Sequence, residues 1–177
     1  MSKKHFLALP VTGDTFAEVR EKNRYYVDKT PYLKAVFSED EAVDDKSLID
    51  GTTVLLLTRP RRFGKTMLMN MFESFLNINY EKPGDTTIHQ SYFKDTKIFE
   101  EQKFCKKYMG QFPVISITLK DVLGDDFESA YLKLAEVVSA KANEFSFLKE
   151  SPYLNEMEKA KFNLLCDEIY LKKADKQ

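Results

Sequence analysis

The run Arg59-Pro60-Arg61-Arg62-Phe63-Gly64-Lys65-Thr66 constrains this chain more than any other stretch, because it joins an apolar segment to an amphipathic one with almost no linker. Before it stand Val54-Leu55-Leu56-Leu57, set between Gly51 and Pro60, a pattern that suits a strand buried on both faces. After it Met67, Leu68, Met71, Phe72, Phe75 and Leu76 recur at helical spacing until Asn77-Ile78-Asn79 breaks the period. The expected unit is strand, tight loop, helix.

That order gives the loop a chemistry. A glycine beside a lysine lets backbone N–H groups approach a phosphate, the lysine reaches the β and γ phosphates, and a following hydroxyl serves Mg²⁺. Gly64, Lys65 and Thr66 supply all three at the start of a helix, where unpaired N–H groups and the helix dipole favour an anion. The first glycine of the G-x-x-x-x-G-K-[ST] pattern falls on Arg59, and a residue before proline is pushed towards extended backbone. Arg61 and Arg62 offer guanidinium donors suited to phosphate oxygens in compensation. The bland account makes the same residues a loop-to-helix junction with Gly64 as a turn residue and Lys65 solvated.

At 177 residues the chain has the size of one domain, and a formal net charge of -1 builds in no general pull towards nucleic acid or an acidic membrane. Cys105 and Cys166 form no Cys-x-x-Cys pair and fit a reducing cytoplasm. No apolar run reaches membrane-spanning length, and Pro10 ends the short one at the N-terminus. The pattern predicts a short helix from Phe16, a brief strand at 25–27 and a helix opened by Pro31, with Asp28 or Thr30 as its N-cap. Residues 80–110 lack a sustained period and read as a surface excursion with short helices. The alternating, β-branched stretch 112–119 predicts a second strand. Two helical stripes close the chain, one through Phe127, Ala130, Tyr131, Leu134, Val137 and Val138, the other through Leu154, Met157, Leu164, Leu165 and Ile169.

Tyr26-Val27-Asp28-Lys29-Thr30, Thr58 to Thr66 and Phe112-Pro113-Val114-Ile115 together resemble the N-terminal part of the predicted AAA-ATPase family of bacterial proteins, over most of the chain. In that family the arginine at the first-glycine position is habitual. The resemblance implies a nucleotide site formed by Arg61, Arg62, Phe63, Gly64, Lys65, Thr66 and Met67, with ATP as cofactor and Mg²⁺ on Thr66. It also implies a Walker B strand downstream and, in many members, a restriction-endonuclease-like nuclease domain through which nucleic acid would be a partner. Asp28-Lys29-Thr30 matches a family signature to which the sequence assigns no role beyond a helix cap.

The expected fold is therefore α/β: part of a P-loop NTPase, a parallel sheet covered by helices, with strands near 53–58 and 113–119 and an end before the Walker B strand. Residues 1–50 form an N-terminal helical segment and 51–177 a core fragment of one domain. Asp121 and Asp167 are the acids nearest to a Walker B position; Asp121 reads as a loop or cap and Asp167 as part of a helix. With catalytic residues unassigned, hydrolysis is expected to be weak or absent in this chain alone. His5 and His89 read as surface residues, and the aromatic side chains as core. The alternative function is a non-catalytic module whose basic loop, Arg59 to Arg62, contacts nucleic acid or a protein.

Overall fold

The computed structural model describes residues 7–11, 13–37, 56–58, 60 and 62–173. They form two compact units, divided between Val114 and Ile115.

In the first unit, α1 (Phe16–Glu21) starts in a capping box: Thr15 accepts the Glu18 N–H and Glu18 accepts the Thr15 N–H. Those Thr15 bonds, with Lys22 beside them, hold the Glu18 carboxyl down at about 2. Helix α2 (Pro31–Val36) opens on proline, whose fixed φ suits a first turn. Helix α3 (Lys65–Leu76) buries Leu68, Met71 and Phe75, which fall on one face. It ends where Asn77 turns extended, as the periodicity predicts.

The segment 80–110 departs from its expectation as a surface excursion. It folds into α4 (Thr87–Phe93), α5 (Lys97–Glu100) and α6 (Gln102–Tyr108), which bring Phe93, Ile98, Phe104, Tyr108 and Met109 into the same core as Phe16, Leu33, Met71 and Phe75. Ring contacts run through that core: Phe16 to Phe93 at 4.9 Å, Phe93 to Phe75 at 5.1 Å, Phe75 to Phe104 at 5.8 Å, and Phe104 to Tyr108 at 4.6 Å. Each such side chain contributes about 1.5–3 kcal/mol by leaving water. These rings are core, as expected, whereas Tyr25, Tyr32 and Phe63 of the same unit are exposed.

The expected parallel sheet is not found among the described residues. The described residues contain no strand, and the chain is helical where it is regular. What exists is one isolated parallel bridge between Asn77 and Phe112, in which Leu76 O accepts the Phe112 N–H at 2.9 Å and Phe112 O accepts the Ile78 N–H at 2.9 Å. A parallel ladder would continue from the Val114 N–H to the Ile78 carbonyl. Instead the Asn77 side-chain oxygen takes the Val114 N–H at 3.1 Å, and the pairing stops. Beyond it Ile115, Ile117 and Leu119 are exposed, so the alternation in 113–119 does not mark a paired strand. Residues 56–58 are likewise irregular, and 53–55 lie outside the described residues. The brief strand expected at 25–27 is also missing; Tyr25 N–H bonds to Ala8 O at 2.8 Å without a ladder.

In the second unit α7 (Phe127–Glu144) is capped by Asp126, which accepts the Ser129 N–H at 2.7 Å. It packs on α8 (Glu156–Cys166) and α9 (Glu168–Lys173). Its buried positions are Ala135 and Ser139, one turn apart, while Phe127 and Leu134 of the expected stripe are exposed. Ser139 Oγ and Asn143 Nδ2 both donate to Cys166 O at 2.9 Å, closing the carbonyl end of α8. The second stripe is split there: Asp167 accepts the Tyr170 N–H at 3.0 Å and starts α9. Among the described residues no helix is long and apolar enough to cross a membrane.

Candidate functional site

Gly64 immediately precedes α3 and lies in the left-handed region, φ 73° and ψ 31°, while its carbonyl accepts the Leu68 N–H at 2.9 Å. It thus turns the chain and opens the helix at once, a conformation that costs glycine little. Arg62 is also left-handed, φ 68°, which costs a residue with a Cβ about 1–2 kcal/mol. The N-cap residue of α3 is a glycine and so offers the helix no side-chain cap. Its first turn therefore presents the N–H end of the helix dipole at a place where Lys65 and Thr66 are exposed. Phe63 is 61% exposed, and Met67 is half-buried against the core. Arg59 and Arg61 lie outside the described residues.

The structure gives the Asp28-Lys29-Thr30 segment a place that sequence reasoning missed. Asp28 Oδ1 accepts the Thr30 N–H at 2.9 Å and the Thr30 hydroxyl at 2.7 Å, and Oδ2 accepts the Lys97 N–H at 2.8 Å. Thr30, fully buried, accepts the Ile98 N–H at 3.2 Å. The pair caps α5 and not α2, whose N-cap Thr30 makes no side-chain bond to it. Burial disfavours the ionised Asp28, and the bonds from Lys97 and Thr30 outweigh it, holding the carboxyl below its ordinary 3.8.

Between those anchors Lys29 reaches the loop, donating from Nζ to Phe63 O at 3.1 Å. Tyr26 supports it from the other side: the hydroxyl accepts the Lys29 N–H at 3.2 Å and donates to Met71 Sδ of α3 at 3.3 Å. Burial pushes that hydroxyl to about 12, so it keeps its proton for Met71. The motif and the turn lie 34 residues apart in sequence, beyond any local spacing rule.

Other expected sites resolve into structural roles. His89 is buried, 5% exposed, on the inner face of α4, with Nε2 donating to Asn77 O at 2.7 Å; it is no surface histidine. Its position four residues before buried Phe93 was the available signal. His5 lies outside the described residues. Asp121 is exposed in a turn, and Asp167 caps α9. Among the described residues no three His, Cys, Asp or Glu side chains are grouped to hold a metal ion. Mg²⁺ is commonly held by one or two carboxylates plus substrate phosphates; the exposed Thr66 hydroxyl is an oxygen that could join such a set beside a polyphosphate.

A left-handed glycine thus opens α3, with lysine and threonine exposed in its first turn. The chain belongs to the predicted AAA-ATPase family, whose model matches residues 10–176. No curated protein and no solved structure matches it.

Proposed function

We propose that this chain binds ATP with Mg²⁺ at residues 61–67. The observation that carries the proposal is the exposed Lys65-Thr66 pair in the first turn of α3, behind left-handed Gly64. Family membership supports it. Backbone N–H groups around Gly64 would take phosphate oxygens, Lys65 would add its ammonium, and Arg61 and Arg62 their guanidinium donors. The Thr66 hydroxyl would hold Mg²⁺, which neutralises phosphate charge when bound. Phe63 and Met67 flank these donors in sequence and contribute apolar surface.

Titration calorimetry with Mg-ATP tests this directly. Wild type is expected to bind and Lys65→Ala to lose the binding, while unchanged affinity in that variant excludes the site. DNA binding that survives Lys65→Ala but disappears when Arg61 and Arg62 are both replaced by alanine would instead favour a basic interaction module.

A further inference from the structure

Lys29 stands in an unusual position for a residue whose neighbours are so firmly fixed. On one side Tyr26 ties its backbone N–H to α3, and on the other Asp28 and Thr30 tie the chain to the start of α5. Its side chain goes to neither helix. The ammonium lies against the turn, and a Cβ built on Gly64 would come within 2.7 Å of Nζ. The left-handed φ favours glycine here, and a Cβ would also make the flexible Lys29 ammonium shift away from the turn.

An ammonium has three donors, and among the described residues the hydrogen-bond acceptor it reaches is Phe63 O. Asp28, the adjacent carboxylate, directs its oxygens to Thr30 and the Lys97 N–H, while the Lys29 ammonium turns to the Phe63 carbonyl. A positive charge is therefore held beside Phe63 and Gly64, just ahead of the N–H groups of α3.

We propose that Lys29 is a second cation of the phosphate site, which steadies the turn through Phe63 O and gives a further N–H to bound polyphosphate. The assignment rests on ATP binding at residues 61–67. It extends the site from the loop to the Tyr26-to-Thr30 segment and gives that motif its function: Tyr26, Asp28 and Thr30 are the mount, and Lys29 is the contact.

The test compares wild type, Lys29→Met, Lys29→Arg and Lys65→Ala for binding of Mg-ATP and of adenosine, with melting temperature measured alongside. Lys29→Met preserves length and removes charge, and is expected to weaken Mg-ATP binding by roughly tenfold or more, the scale of one charge-assisted hydrogen bond. Adenosine affinity should stay unchanged, so the ATP-to-adenosine ratio falls. Wild-type Mg-ATP affinity in Lys29→Met, with Lys65→Ala still inactive in binding, overturns the role of Lys29 and leaves the nucleotide site standing. An equal loss for ATP and adenosine also overturns the phosphate contact. If Lys29→Met melts early, Lys29→Arg decides: recovered ATP affinity supports a cation, and a loss as large as that of the methionine variant rejects one. Absence of Mg-ATP binding in wild type overturns both proposals.

Discussion

Asp28 shows how much one carboxylate can organise. Its oxygens hold the Thr30 hydroxyl and the backbone N–H groups of Thr30 and Lys97, and replacing it by alanine strands these donors at a cost of about 1–3 kcal/mol. The folded protein keeps this carboxyl below its ordinary 3.8, so its stabilisation is complete above that value and fades as pH falls through the lower folded value. The gap in melting temperature between wild type and Asp28→Asn should therefore narrow on acidification from about pH 6 to about pH 2; a constant gap would show the charge to be irrelevant. Cys105 offers a second residue-level check. Burial, with the charge of Glu101 beside it, pushes its thiol to about 11, and Sγ donates to Ile98 O at 3.1 Å. Iodoacetamide in mildly alkaline buffer should label half-buried Cys166 well before Cys105, as mass spectrometry of the peptides would show.

At the scale of elements, α3 was legible because its twelve residues carry an unbroken apolar stripe and a sharp break at Asn77. Short helices were expected in 80–110, but the burial of α4, α5 and α6, of seven, four and seven residues, was hidden because none spans enough turns to establish a period. They are nevertheless half of the aromatic core. Phe75 on α3 touches Phe93 of α4 and Phe104 of α6, so Phe75→Ala should cost about 3–5 kcal/mol, read as a shift of the denaturation midpoint at constant slope. A cost below about 1 kcal/mol would mean that the three helices do not meet at that ring.

For the molecule as a whole, the corrected feature is the missing sheet. Alternating apolar residues describe what a strand would bury, but pairing requires a neighbour, and the Asn77 side chain ends the pairing by capturing the Val114 N–H. Hydrogen exchange should find amides 115–119 fast and those in the middle of α3 slow; comparable protection in both would contradict the structure. The helices that start at Phe16, Pro31, Lys65 and Phe127 and the turn at Gly64 were determined by sequence alone, since each depends on local period or backbone freedom. Tertiary structure alone decided that Asp28 and Thr30 cap α5, that His89 is buried against Asn77, and that Lys29 meets Phe63. Those contacts join residues 12 to 69 positions apart, and no local rule relates side chains that only the folding of short helices around a shared core brings together.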